Sequence, residues 1–411
     1  MYNFDELIDR RNTNSFKWDE HNDPDIIPLW VADMDFKAAP CITEALEKRI
    51  KHGVFGYTFV PDSYYEAVIN WFNQRHKWAI HRSWMLYTTG VVPAISAVIK
   101  ALTQPGDAVL IQSPVYNCFF SSIRNNQCHV VESPLRMVTY HPKKATGRRF
   151  SGNPNTQHLA PESFTYETDW EDFEMKCSDP RVKLFLLCNP HNPAGRVWTP
   201  QELERMNDIC QRHGVRIIAD EIHCELVMPG YRYTPFASIS QACLDNSITC
   251  CSASKSFNIA GLQMAHIISN NPETRQHIDR AININEICDV NPLAPIAQQA
   301  AYNEGGEWID QLCDYLYNNK VALCQYFASE LPQLKIARLE GTYLVWVDIR
   351  ATGLSSDQLT QRLLNEGKVQ VNSGTMYGAK TGEGFIRINI ACPRSLLMEG
   401  LRRIKQTIER L

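Results

Sequence analysis

The chain has 411 residues, 44% hydrophobic and 21% charged, with a formal net charge of −4. That make-up suits a globular protein large enough for two or three domains and gives no reason to expect nucleic acid or an anionic membrane as partner. No apolar run approaches a membrane span, and Met1 to Asn14 lacks the apolar centre of a signal peptide, so a cytoplasmic location is expected.

Residues 40–52 read as a helix opened by Pro40 and closed at Gly53, and residues 61–76 as another, with Tyr64, Val68, Trp71 and Phe72 at helical spacing. Gly90 opens a helix through Leu102, which puts Val91, Ile95, Val98, Ile99 and Leu102 on one face. Residues 108–111 form a buried strand leading into Ser113-Pro114-Val115-Tyr116. Residues 139–166, rich in Lys, Arg, Pro, Gly and Asn, have no usable periodicity and read as a surface loop, with a lid as the lesser alternative. From about residue 182 strands and helices alternate, as in a mainly parallel sheet covered by helices, with a crossover helix at 200–213. After about residue 292 the pattern changes to a long helical stretch through 329, then strands at 342–348 and 384–391. The expected division is therefore a large domain at 51–291 and a smaller α+β domain at 292–411.

Fourteen cysteines are many, yet none forms a C-x-x-C pair, and most lie in apolar or helical runs. Reduced, buried thiols are the simplest reading, and no Cys or His cluster has zinc-ligand spacing.

Three apolar runs stop abruptly at polar residues, as strands buried on both faces do. Leu184–Cys188 ends in Asn189-Pro190-His191-Asn192-Pro193-Ala194-Gly195, and Val215–Ala219 ends in Asp220-Glu221-Ile222-His223. Ile248–Cys251 ends in Ser252-Ala253-Ser254-Lys255. Ligand sites of open α/β sheets lie outside the carboxyl ends of the strands. A lysine, an aspartate and an asparagine leaving three such ends meet the requirements of a pyridoxal 5'-phosphate (PLP) site.

The Lys255 amine can form a Schiff base with an aldehyde once deprotonated, and a buried Asp220 carboxylate keeps a pyridine nitrogen protonated. Asn192 offers an amide donor to the phenolic oxygen, and His223 can donate to the same atom. Ser252 and Ser254 suit a phosphate, as does the helix start at Gly90, Val91 and Val92, where free N–H groups face outward. Tyr116 can stack on the ring. Arg387 lies in a strand pattern opposite Ile386, Ile388 and Ile390, and can clamp a substrate α-carboxylate. Each has an ordinary alternative: a loop-ordering aspartate, a helix-start histidine, a core tyrosine, an exposed strand arginine.

Together these motifs resemble the fold type I PLP enzymes, specifically the carbon–sulfur β-lyases of the MalY/PatB group in the class I/II aminotransferase superfamily. The resemblance runs from Leu29-Trp30-Val31-Ala32-Asp33-Met34-Asp35-Phe36 through Gly56-Tyr57-Thr58, Gly90-Val91-Val92-Pro93-Ala94 and the three strand-end motifs to Gly341-Thr342-Tyr343 and Arg387-Ile388-Asn389. It implies an N-terminal segment (1–50) packed with the small domain, and PLP on Lys255 with Asp220 at the ring nitrogen and Asn192 at the phenolic oxygen. Arg387 would hold the substrate carboxylate, and Asn192 and Tyr116 would also contact the substrate. Tyr57 would reach a neighbouring subunit's cofactor, so the active unit is expected to be a homodimer with shared active sites.

Three segments depart from the resembled pattern: Asn117-Cys118-Phe119, which puts a thiol close to the expected ring; Glu286-Ile287-Cys288-Asp289-Val290-Asn291-Pro292; and the 139–166 loop. The expected reaction is α,β-elimination from cystathionine, cysteine or an S-substituted L-cysteine, giving pyruvate, ammonia and a thiol, with Lys255 as general base. An aminotransferase on the same scaffold and a PLP-carrying regulator of a transcription factor are the rival readings; no DNA-binding domain is appended.

Overall fold

The computed structural model describes residues 2–140, 162–284 and 289–411. In chain order its strands are β1 (Ile27–Pro28), β2 (Met85–Thr88), β3 (Ala108–Ile111), β4 (His129–Glu132), β5 (Arg136–Thr139), β6 (Glu162–Glu167), β7 (Val182–Cys188), β8 (Arg216–Asp220), β9 (Ser247–Cys251), β10 (Ala265–Ile268), β11 (Lys335–Ala337), β12 (Leu344–Asp348), β13 (Val369–Gln370), β14 (Asn372–Ser373) and β15 (Phe385–Asn389). The helices are α1 (Pro40–His52), α2 (Asp62–His76), α3 (Val91–Leu102), α4 (Asn117–Asn125), α5 (Trp170–Cys177), α6 (Pro200–Arg212), α7 (Gln241–Asp245), α8 (Pro272–Asn283), α9 (Ala294–Glu304), α10 (Gly306–Glu330), α11 (Ser356–Asn365) and α12 (Arg394–Ile408).

Seven strands form the central sheet in the order β2-β10-β9-β8-β7-β3-β4. Neighbours from β9 to β4 run parallel, and only β10 opposes its partners β2 and β9. The apolar runs of β7, β8 and β9 are buried almost throughout, because helices cover both faces. The fold class is therefore α/β with a mainly parallel sheet, as expected. Local signals set the helix ends. Gly53 closes α1 at φ 76°, a left-handed conformation that costs glycine little, and Thr199 with Glu202 makes a reciprocal capping box on α6.

A second sheet has the order β14-β15-β12-β11-β6-β5. Its β5 and β6 come from the middle of the chain. Residues 162–166, expected to be loop, thus form a strand pairing with β11, and the rest of the expected loop lies mostly outside the described residues. Glu286-Ile287-Cys288 also lies outside them. The helical stretch expected from 292 to 329 is two helices broken at Gly305, where any Cβ would come within 2.4 Å of the Phe257 ring and 2.5 Å of the Ala301 carbonyl oxygen.

The N-terminal segment lies against the end of the chain. Strand β1 pairs with β13, and the Leu29 amide donates to Gln370 O (2.8 Å) while Leu29 O accepts from the Asn389 amide (2.9 Å). Phe4 packs its ring on Phe36, Trp308 and Tyr315 at centroid distances of 5.2, 5.7 and 5.4 Å.

Candidate active site

Strands β7, β8 and β9 are adjacent and in register, Cys188 opposite Asp220 and Asp220 opposite Cys250. The segments carrying Asn192, Asp220 and Lys255 therefore leave neighbouring strand ends on the same side of the sheet. Asn192 and Asp220 are buried, and Lys255 keeps partial access to solvent. Gly195 makes the turn in the Asn192 loop at φ 71°, where a Cβ would also crowd the Arg338 carbonyl oxygen at 3.1 Å.

Residues 30–34 cross this end of the molecule and are held by side chains from the sheets. Lys255 Nζ donates to Ala32 O at 2.6 Å, and Tyr343 Oη donates to the same oxygen at 3.0 Å. Arg387 Nη2 donates to Trp30 O (2.8 Å) and Nη1 to Asn192 Oδ1 (3.1 Å). Asn389 Nδ2 donates to Val31 O (2.5 Å) and Asp33 O (2.7 Å). A separate network anchors this strap: Arg10 pairs with Asp33 and Asp35, and the buried Lys17 ammonium with Asp35 at 2.8 Å. Burial disfavours the Lys17 charge, but the two carboxylates outweigh it and hold its pKa above the ordinary lysine value.

Arg387 is buried on β15, between Trp346 of β12 and Asn372 of β14, with its guanidinium carbon 4.7 Å from the Tyr377 ring centroid. The exposed-arginine alternative does not hold, because the sheet is covered on both faces there. Its Nε has no hydrogen-bond partner, nor has Nδ1 of the buried His223. Such atoms are costly unless something accepts from them or donates to them.

Burial dominates the electrostatics of the site. Burial pushes the Asp220 carboxyl up to about 7, against the Ile222 amide and Lys255, which favour its charge. Burial lowers the Lys255 ammonium; Arg387 acts with burial, while Asp33, Cys118 and Asp220 oppose it. His223 is pushed down to about 3 by burial, then by Lys255 and Arg387, so its imidazole is neutral at physiological pH. The Tyr116 hydroxyl is pushed up by burial, by the neighbouring Cys118 and by Asp220.

Of the expected anion-holding groups, Ser252 stands differently from the expectation. Its hydroxyl donates to Met264 O (2.6 Å) and accepts from the Ser254 amide (3.0 Å) and Gln298 Nε2 (3.0 Å). The one hydrogen and both lone pairs are thereby used inside the protein, and Ser252 shapes the Ser254–Lys255 turn. Gly90 does cap α3, and since Pro93 carries no N–H, the Val91 and Val92 amides are the free donors of that first turn. Tyr57 is not brought to these residues within one chain: it is 96% exposed, in a stretch where Val54, Phe55 and Phe59 are exposed as well.

Several residues at the site, within the sequence motifs or outside them, are given no role by the sequence. The Ala32 carbonyl is a backbone atom, and Asp33 acts on Lys255 and Tyr343 through space across more than 200 residues of chain. Glu221, buried beside Asp220 and pushed by burial up to about 7, accepts from Tyr233 Oη (2.5 Å), the Phe236 amide (2.9 Å) and Asn189 Nδ2 (3.1 Å), tying the Asn192 loop to β8. His76, Cys224 and Glu225 also converge, and the Glu225 carboxylate is taken up by His76 (2.6 Å), Trp71 Nε1 (2.7 Å) and Arg75 (3.1 Å). Ten of the thirteen described cysteines are buried, and none is in a disulfide.

Residues 24–404 match the family model described as aminotransferase class I and II. The chain is 40% identical over 410 residues to cystathionine beta-lyase PatB of Bacillus subtilis, which covers 99% of this chain and 100% of that protein. It is 34% identical over 407 residues to the protein MalY of Escherichia coli, covering 98% and 97%. Among solved structures, a PLP-bound putative aminotransferase from Clostridium difficile superposes with a TM-score of 0.90 at 42% identity, over 99% of this chain and 100% of that one. Cystalysin from Treponema denticola, which contains pyridoxal 5'-phosphate, gives 0.90 at 32% identity, over 100% and 99%.

Proposed function

The chain belongs to the aminotransferase class I and II family, and from that premise we propose that it is a PLP-dependent carbon–sulfur β-lyase. It would cleave cystathionine, cysteine or an S-substituted L-cysteine into pyruvate, ammonia and a thiol. Two relatives point this way: PatB, named a cystathionine beta-lyase, and the PLP-bound C-S lyase from Staphylococcus hominis, 32% identical with a TM-score of 0.86.

The residues present fit the cofactor. A buried Asp220 carboxyl pushed up to about 7 by burial, a Lys255 amine depressed by burial, and orphaned donors or acceptors on His223 and Arg387 are what a cationic ring and an anionic substrate would satisfy. Lys255 would hold the aldehyde carbon, Asp220 the ring nitrogen, Asn192 and His223 the phenolic oxygen, and Tyr116 the ring face. The Ser254 hydroxyl and the Val91 and Val92 amides would hold the phosphate. When bound, the cofactor supplies an electron sink for the pair released at the substrate Cα.

The protein's own groups do the rest. Arg387 clamps the α-carboxylate, with Nε free and Nη1 already directed at Asn192. Lys255, whose ammonium is disfavoured by burial, takes the α-proton as a neutral amine. The strap at residues 30–34 crosses the site and orients Lys255 and Arg387 through the Ala32 and Trp30 carbonyls.

The active unit is a homodimer. The exposed apolar run Val54, Phe55, Tyr57 and Phe59 supports this, being unusual surface for a monomer, and Tyr57 would reach a second copy's cofactor. No helix among the described residues is long and apolar enough to cross a membrane. The free thiols fit a reducing, cytoplasmic setting.

The convergence of Asn192, Asp220 and Lys255 at three adjacent strand ends, with Arg387 beside them, carries this reading. Pyruvate release from cystathionine without added keto acid tests it. Amino transfer to a keto acid with no pyruvate formed would assign the chain to aminotransfer instead.

A further inference from the structure

Arg387 is only 3% exposed, and its hydrogen bonds go to neutral acceptors, the Trp30 carbonyl and the Asn192 amide oxygen. A cation held that far from water needs further support. The Tyr377 ring supplies it, with the guanidinium carbon 4.7 Å from the ring centroid, within the range of a cation–π contact. Unlike a carboxylate, an aromatic face supports the charge without taking up the N–H groups. The fork stays able to grip an anion, and Nε is left without a partner.

Tyr377 is itself held at three points. It is buried at the end of the short helical turn Gly374–Tyr377, and its backbone carbonyl accepts from the Val115 amide (2.8 Å), next to Tyr116. Trp346, the β12 neighbour of Arg387, meets it edge to face with ring centroids 5.6 Å apart. Asn372 Nδ2 donates to the Tyr377 hydroxyl (2.8 Å) and to Trp30 O (3.3 Å), the oxygen that also accepts from Arg387 Nη2. Ring, amide and carbonyl thus close a loop around the guanidinium and fix its orientation.

We propose that Tyr377 is a positioning residue for the substrate α-carboxylate, acting through Arg387. Its ring face, not its hydroxyl, holds the guanidinium ready before the substrate arrives, so less ordering is left to binding. This rests on the assignment of Arg387 to the carboxylate above, and holds whether elimination or amino transfer follows.

The test follows cofactor absorbance as L-alanine or ethylamine is added to wild-type, Tyr377→Phe, Tyr377→Met and Tyr377→Leu holoenzymes. The two ligands differ by the carboxylate alone. PLP titration of each apo protein establishes that the cofactor site is intact. Wild type should bind L-alanine far more tightly than ethylamine, and Tyr377→Phe, which keeps the ring face, should retain that preference. Methionine and leucine fill space without a face, and should cut the preference roughly 10- to 30-fold while ethylamine and PLP binding stay unchanged. KM for cystathionine should rise by a similar factor with a smaller change in kcat. A non-aromatic variant that keeps the preference, or loses equally on both ligands, would overturn the proposal. So would loss of the preference in Tyr377→Phe, which decides even where the non-aromatic variants fail to load PLP. Wild-type enzyme with no preference for L-alanine would instead overturn the carboxylate assignment of Arg387, and the proposal with it.

Discussion

Replacing Asp220 by Asn should stabilise the cofactor-free protein in alkali while weakening cofactor binding. The Asp220 carboxyl stands at about 7 in the fold against an ordinary 3.8, because burial penalises its charge. A group raised by folding contributes stability below its unfolded value and loses that contribution as pH climbs through its folded value. At ~1.4 kcal/mol per unit, the loss has reached roughly 1.5 kcal/mol at pH 5 and about 4 kcal/mol at pH 8.5. Asparagine carries no charge and no such loss. The stability of apo Asp220→Asn relative to apo wild type should therefore rise by about 2–3 kcal/mol between pH 5 and pH 8.5. Urea denaturation of both apo proteins at the two pH values measures this difference of differences, from which groups that do not feel the Asp220 charge cancel, while Glu221 and Lys255 follow it. Fluorescence titration with PLP should show weaker binding by the variant, which offers the ring nitrogen no anion. A pH-independent difference would mean that Asp220 is solvated or paired in the apo fold, and the reasoning from its burial would fail.

Lys255→Ala should leave no borohydride-stable PLP adduct and slow pyruvate release from cystathionine by roughly 10²–10⁴-fold; mass spectrometry and a coupled assay read the two effects. Arg387→Lys keeps the charge but loses the guanidinium fork, so KM for the amino acid should rise roughly 10- to 100-fold with a smaller change in kcat, measured by steady-state kinetics. Phe55→Asp combined with Phe59→Asp should shift the protein from twice the chain mass to the chain mass in light scattering, with activity lost in parallel. Gly305→Ala forces a methyl group onto Phe257 and the Ala301 carbonyl, and thermal unfolding should show a loss of about 1–3 kcal/mol.

The parts of the site that could be read from the chain are those with a one-dimensional signature. Asn192, Asp220 and Lys255 each follow an apolar run, and buried parallel strands write themselves that way, so the structure's adjacency of β7, β8 and β9 was foreseeable. Strands β5 and β6 were not, because Arg136–Thr139 and Glu162–Glu167 are short, largely polar and half-exposed, and the second sheet recruits them by tertiary pairing. Gly305 and Gly306 sit inside an otherwise good helical pattern. The break there depends on how closely Phe257 approaches, which no local pattern records. Ser252 looked like an anion ligand because serines beside a cofactor lysine suggest one; its commitment to Met264 and Gln298 depends on residues 12 and 46 positions away. The strap stood out as a motif, but its role did not, since its working atoms are carbonyl oxygens that every residue possesses.

That strap joins segments far apart along the polypeptide. Ala32 and Trp30 are made well before Lys255, and Lys255 well before Arg387, yet the carbonyls of the first two accept from the side chains of the others. A nascent or C-terminally truncated chain thus has its reactive amine without the guanidinium that orients a substrate. A chain cut before β15 also leaves the Trp30 carbonyl without its guanidinium donor.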